Sequence, residues 1–243
     1  MAAFKKVTLI ANPAKPKAAE LRAEVAEFLK DKGVSISSDG EILITVGGDG
    51  TILYNKENSR KPIFGIGSAT SFICQAIDVD WKERLSAVLE GKFEREERFM
   101  LACELNGKRL PDALNEVAVR NTEHRILTLR LGVDAKKYIF RADGILFSTP
   151  TGSSAYCYSC GGDELAPNTR AYEIVAIAPF RRSFEPLIVG EDAVSTLTVE
   201  AHCKWSVIID GQFVYPFDYG VQELRVFKSE RTVSFIKPVI KRK

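Results

Sequence analysis

The stretch Glu41-Ile42-Leu43-Ile44-Thr45-Val46-Gly47-Gly48-Asp49-Gly50-Thr51 sets the reading of the fold. A run of apolar and β-branched residues stops abruptly at glycines. That pattern reads as a buried strand leading into a tight turn and a helix start. Upstream, Val7 to Ala11 is another apolar run, closed by the turn signal Asn12-Pro13. Pro16 opens a helix through Lys30 in which Leu21, Val25, Phe28 and Leu29 share one face, and Gly33 ends it. Downstream, Ile63 to Ile66 is a third strand. Asp80 caps a helix with Trp81, Leu85, Val88 and Leu89 inward and Gly91 at its end. Strands alternating with helices predict a parallel sheet with crossovers, an α/β domain over residues 1–95.

The pattern changes after Phe93. Asn106-Gly107 between strand-like runs is a hairpin signal. Leu127, Leu129, Leu131 and Val133 recur at period two, as do Leu197 and Val199, Leu224 and Val226, and Val233 and Phe235. These predict a β-rich second domain over residues 96–224, with one helix near Ser153 to Cys160. The strands from about 225 to 243 are candidates to pack back on the first domain.

Composition narrows the function. The chain has 243 residues, 45% hydrophobic and 27% charged, with a net charge of +2. That is a globular protein with a real core, not a disordered one. Near-neutral charge argues against nucleic acid as a partner. No apolar run approaches the ~20 residues that span a bilayer, and Met1 to Lys6 shows no signal-peptide pattern. A cytoplasmic protein without a membrane partner is expected. Five cysteines, an odd and scattered set, do not form a disulfide framework. Cys157-x-x-Cys160 lacks the second half of a zinc site, and the histidines are His124 and His202 alone. The basic tail Lys237 to Lys243 reads as a solvated end.

Four loops carry chemistry. In Gly47 to Thr51 the glycines let a backbone approach a ligand, and N–H groups at a helix start attract anions. An Asp there would repel phosphate, so Asp49 suits a metal or a proton, unless it only caps the helix. In Asp143-Gly144-Ile145-Leu146-Phe147-Ser148-Thr149-Pro150-Thr151-Gly152-Ser153-Ser154-Ala155-Tyr156, a strand runs into hydroxyls, a helix start and an aromatic ring. This suits a polar ligand with a flat heterocycle, unless the segment is only a capped helix with surplus Ser and Thr. Asn115-Glu116 pairs an amide with a carboxylate, able to read a sugar diol or an adenine edge. Asp210-Gly211-Gln212 reads as a tight turn or as part of a site.

Taken together, and in this order along the chain, these loops resemble the NAD kinase family, whose members use ATP or polyphosphate. Arg141-Ala142-Asp143-Gly144, Gly161-Gly162 and Asn12-Pro13 add to the likeness, which spans nearly the whole chain. The Thr149-Pro150-Thr151-Gly152-Ser153 run is its most specific part. The glycine loop is shared with diacylglycerol and sphingosine kinases and, in similar form, with phosphofructokinases. The resemblance implies an N-terminal α/β nucleotide-binding domain followed by a β-rich domain, with the active site between them. It implies phosphorylation of the adenosine ribose 2′-hydroxyl of NAD to make NADP, with Mg²⁺ or another divalent cation bridging the donor phosphates. Asp49 is then the general base. Gly47, Gly48, Gly50 and Thr51 lie near phosphates. NAD is held by Asp49, Gly50, Phe72, Asn115, Glu116, Arg141, Asp143, Ser154, Ala155, Tyr156, Ser159, Asp210 and Gln212. Family members are dimers or tetramers, so a homo-oligomer is expected, and no metal ligand is singled out. The alternatives are a lipid kinase sharing the glycine loop and a dinucleotide-binding regulator without catalysis. The chain departs from the family pattern at Ser68-Ala69-Thr70-Ser71-Phe72, where Gly-x-Leu-Gly-Phe is usual. It has Asp163 in place of a Pro after Gly161-Gly162, and Ile177-Ala178-Pro179-Phe180-Arg181 in place of Thr-Pro-x-x-Pro-His.

Overall fold

A computed structural model describes residues 3–56 and 60–240; the end of the basic tail, 241–243, lies outside the described residues. The chain divides into two compact units. One runs up to Glu97 and resumes at Val233, and the other comprises Arg98–Thr232.

In the first unit, strand Lys6–Ala11 lies parallel to both Ser35–Ile36 and Ile42–Val46. Ile42–Val46 in turn pairs in parallel with Ile63–Gly67. The far end of the last strand, Gly220–Pro238, joins in parallel through Phe235 opposite Ile63. Ile42–Val46 and Ile63–Gly67 are buried at every residue, as parallel strands with covered faces require. Helix Pro16–Asp31 buries Ala18, Val25 and Leu29, and Gly33 follows with φ 71° as its left-handed stop. Helix Trp81–Leu89 buries Trp81, Leu85, Val88 and Leu89, and Phe28 meets Trp81 edge-on at 5.4 Å. Asp80 occupies the cap position, yet its carboxylate does not cap the helix. It accepts instead from the Ile77 N–H at 2.8 Å and pairs with Arg84. Register aligns the carboxyl ends of the strands: Ala11 lies opposite Val46, and Val46 opposite Ile66. The chain therefore leaves three neighbouring strands at Asn12, Gly47 and Ser68, the edge where open parallel sheets bind ligands.

The second unit is a β-sandwich. One sheet runs Lys136–Ala142, Leu127–Val133, Ser195–Ala201 and the first part of Gly220–Pro238, all antiparallel. The other runs Leu187–Gly190, Ala171–Ile177, Gly144–Ser148, Glu116–Asn121, Trp205–Ile209 and Phe213–Phe217. Their facing surfaces share one core, in which Leu127, Leu129, Leu131, Leu197, Val199 and Leu224 meet Val117, Val119, Phe147 and Val207. Asn106 and Gly107, at φ 48° and 77°, make the two-residue hairpin loop. The second sheet's other face carries a smaller cluster of Ala118, Leu146 and Ile177, on which Tyr156, Cys160 and Ile208 pack. The helical segment expected near Ser153 to Cys160 begins there as one wide turn, Ser153–Cys157, broken at Ala155.

Candidate functional site

Each unit builds a cluster of the residues singled out by sequence. In the first unit, Val46 delivers the chain to Gly47 and Gly48, at φ 132° and 94°. A Cβ on Gly47 would stand 2.8 Å from both Asn12 Cβ and Thr51 Oγ1, so glycine is required by space as well as conformation. Asp49 is the first residue of helix Asp49–Asn55, but it does not cap that helix. Its carboxylate crosses to the 72–74 segment. Oδ2 accepts from the Phe72 N–H at 2.7 Å, and Oδ1 from Ile73 and Cys74 at 3.0 and 3.2 Å. Asp49 thereby fixes the loop that carries Phe72, a residue 73% exposed. Burial, then the Asp49 charge, pushes the neighbouring Cys74 thiol far above its ordinary range, so it stays protonated and inert. Gly50 is exposed, whereas Thr51 is buried with its hydroxyl unpartnered. Lys15, a residue no motif marks, donates from Nζ to the Gly47 carbonyl at 3.0 Å. It lines a cavity of about 430 Å³ together with Lys17, Gly47, Gly67, Ser68 and Asp78.

In the second unit another aspartate does the same kind of work. Asp210 Oδ1 accepts from the N–H groups of Asn115 and Glu116 at 2.7 and 3.1 Å, and Oδ2 from Leu114 at 3.0 Å. Asp210 is buried and held at φ 53° in a tight hairpin loop between Ile209 and Phe213. Asp210-Gly211-Gln212 is thus the tight turn of one reading, and Gln212 is exposed. Asn115 and Glu116 are both buried, and Asn115 Oδ1 and Glu116 Oε2 have no hydrogen-bond partner. Burial, and secondarily the nearby Asp210 charge, raises the Glu116 carboxyl to about 8. At neutral pH it is mainly protonated and can donate as well as accept.

The hydroxyl-rich segment serves mostly itself. Thr149 Oγ1 donates to the Leu114 carbonyl and accepts from the N–H groups of Thr151 and Gly152. Ser153 Oγ donates to Pro150 O at 2.8 Å and accepts from Leu165 N at 2.9 Å. These bonds tie the segment to itself, to Leu114 and to Leu165 rather than presenting the two hydroxyls outward. Ser154, Ala155 and Tyr156 remain half-buried and Ser159 exposed. Tyr156 lies against Ala118, Leu146 and Ile177 on the face that carries Glu116. Arg141 is exposed and stands over the Phe180 ring, while the half-buried Asp143 accepts from Asn121 Nδ2 at 3.2 Å. Cys157 is explained without metal or redox chemistry: its thiol donates to buried Glu173 at 3.2 Å. Glu173 also receives the Asp163 N–H, a role with no local sequence signal. Among the described residues no group of three or more His, Cys, Asp or Glu side chains is placed to hold a metal ion.

Comparison with known proteins gives the family and the fold. Residues 114–238 match the ATP-NAD kinase C-terminal domain. An NAD kinase of Methanosarcina acetivorans is 36% identical over 218 residues, covering 87% of this chain and 77% of its own. One from Methanothermobacter thermautotrophicus is 32% identical over 96% of this chain and 91% of its own. Among solved structures, an NAD kinase from Archaeoglobus fulgidus in complex with ATP superposes with a TM-score of 0.82. It is 26% identical and covers 96% and 94% of the two chains. The yeast NADH kinase complexed with NADH shares the fold at a TM-score of 0.83, with 20% identity, over 97% of this chain and 84% of its own. The fold is thus that of the pyridine-dinucleotide kinases. By sequence, the chain belongs to the NAD kinase family.

Proposed function

We propose that this protein transfers the terminal phosphoryl group of ATP to the adenosine ribose 2′-hydroxyl of NAD, giving NADP and ADP. The observation that carries the reading is the Asn115–Glu116 pair. Two buried polar atoms lack partners, beside a half-buried tyrosine, on a backbone that Asp210 holds rigid. Unpaired buried polar atoms are rare in native proteins, and this adjacent pair suits a ligand that both donates and accepts. Ribose hydroxyls and ring amino groups supply the missing donors, and Tyr156 offers a face for a ring.

In this reading Asp49 takes the proton of the 2′-hydroxyl as its oxygen bonds to the γ-phosphorus and the bond to ADP breaks. Oδ2, which accepts from one backbone N–H where Oδ1 accepts from two, is the oxygen for that task. Gly47, Gly48 and Gly50 admit the phosphates close to the backbone. Phe72, on the loop that Asp49 fixes, presents its ring to the adenine. Ser154, Ala155 and Ser159 line the dinucleotide beside Tyr156, with Arg141, Asp143 and Gln212 as further polar contacts. Among the described residues no three His, Cys, Asp or Glu side chains converge to hold a metal ion; Mg²⁺ would be held by the ATP phosphates and would neutralise their charge. All five cysteines are free, in keeping with work in the reducing cytoplasm. No helix among the described residues is long and apolar enough to cross a membrane. The six-stranded sheet ends in the open strands Leu187–Gly190 and Phe213–Phe217, which favour assembly into a dimer or tetramer. Incubation with ATP, Mg²⁺ and NAD should yield NADP phosphorylated at the 2′ position. Absence of NADP with both ATP and polyphosphate as donors would end the reading.

A further inference from the structure

We infer that the turn at residues 178–183, together with Arg141, forms a clamp for a phosphate group of the dinucleotide, built from guanidinium ions around Phe180. The inference rests on the dinucleotide reading above and adds Phe180 and Arg181 to the residues that reading uses.

Three observations carry it. The first is conformation. Ala178, Arg181 and Arg182 sit at φ 47°, 55° and 53°, three left-handed residues in five, none of them glycine. Such conformations are unfavourable for residues with a Cβ and tend to persist where function requires them. The turn is anchored at both ends. Ile177 lies in the cluster beneath Tyr156, and buried Phe184 stacks on Phe140 at 4.3 Å. The second is charge. The guanidinium carbons of Arg141 and Arg181 stand 5.6 and 5.4 Å from the centre of the same Phe180 ring. Neither has a carboxylate partner among the described residues, nor does Arg182. Two like charges held on one ring repel until an anion joins them. The third is exposure. Phe180 is 49% exposed, so ring and cations face a ligand and not the core.

Guanidinium forks match phosphate oxygens in pairs, and their stacking on Phe180 orients them in advance. Ile177 touches the Tyr156 cluster, and the three residues on to Phe180 span at most about 10 Å. A ligand seated on Tyr156 therefore reaches the clamp with its phosphates. The clamp also falls in the segment where this chain departs from the usual family pattern, so it is a feature of this sequence. The ligand chemistry is a phosphate ester, from either the diphosphate bridge of NAD or the 2′-phosphate of the product.

The test is calorimetry of adenosine, NAD, NADP and inorganic diphosphate on the parent, Arg181→Gln, Arg181→Lys and Tyr156→Ala proteins. Arg181→Gln should weaken NAD and NADP by about tenfold or more and leave adenosine unchanged, as loss of a charge-assisted bond implies. Arg181→Lys should fall between, since it keeps the charge and loses the fork. Weakening of NADP alone assigns the clamp to the 2′-phosphate; equal weakening of both assigns it to the diphosphate. Parental affinity of Arg181→Gln for both dinucleotides would overturn the inference. So would an equal loss for adenosine, which would mean a collapsed pocket. Altered particle mass in light scattering with unaltered affinities would give the cluster to a second copy and also overturn it. If Tyr156→Ala leaves NAD and adenosine unchanged while Arg181→Gln still weakens inorganic diphosphate, the dinucleotide reading fails and the clamp stands.

Discussion

Gly152→Ala isolates one contact that holds the candidate site together. Gly152 has φ −83° and ψ −12°, ordinary right-handed values open to any residue. On propensity alone, alanine there should stabilise the protein by about 0.4–1 kcal/mol. The structure predicts the opposite sign. A Cβ at 152 would lie 2.3 Å from the Asn115 carbonyl oxygen, 2.6 Å from its carbon and 2.7 Å from its Cα. Ordinary contact distances are about 3.5–4.0 Å, so the two backbones must part by on the order of 1 Å. Neither can swing away, because the Thr149 N–H donates to that same carbonyl and Asp210 pins the Asn115 N–H. Overpacking of this kind costs about 1–3 kcal/mol, occasionally more. The expected result is a lower urea midpoint with an unchanged slope, and NAD affinity reduced further than stability alone explains. A Gly152→Ala protein as stable as the parent, binding NAD normally, would refute the argument that this close approach sets the position of Asn115.

Asp210→Asn keeps the shape and tolerates the left-handed backbone, but turns an amide N–H₂ toward one of three backbone N–H groups. It should cost about 1.5–3 kcal/mol in chemical denaturation, and Glu116 should titrate lower because one cause of its raised value is gone. Glu116 gives a pH dependence of defined sign. Its carboxyl is raised to about 8 from 4.5, so the folded state binds the proton more tightly than the unfolded one. Its contribution to stability is complete below about 4.5 and is lost as pH rises to about 8. Glu116→Gln should flatten that fall in denaturation midpoints across this range, and an unchanged slope would assign the effect elsewhere.

The sequence made the periodic elements readable, because burial repeats at fixed intervals. Leu127, Leu129, Leu131 and Val133 alternate and are all buried, and Asn106-Gly107 makes its hairpin. Asp49, Asn115, Glu116 and Asp210 likewise stood out in the sequence as polar residues at the ends of apolar runs. Their partners did not. Asp49 bonds to backbone 23–25 residues away, and Asp210 to backbone 94–96 residues away. Backbone N–H groups are the same at every residue, so no local pattern announces which ones a distant carboxylate gathers. The hydroxyls of Thr149 and Ser153 misled for the same reason: their composition suited a ligand, while their bonds go to carbonyls and N–H groups of the chain itself. Lys15 and Glu173 carried no signal, because tertiary folding alone sets them beside Gly47 and Cys157.

The most direct test of the account is the rate of NADP formation by Asp49→Asn, measured beside its NAD affinity. The structure adds a control, because Asp49 also fixes Phe72, Ile73 and Cys74, and an amide would set a donor against one of their N–H groups. Some stability should be lost, and denaturation will report it. With the protein folded and saturated with NAD and ATP, turnover should fall by about 10²–10⁴-fold, as loss of a general base requires. NAD affinity should fall far less than turnover, since Asn115, Glu116 and Tyr156 are untouched and only the Phe72 loop is disturbed. A folded Asp49→Asn protein that binds NAD and makes NADP at the parental rate would contradict the account.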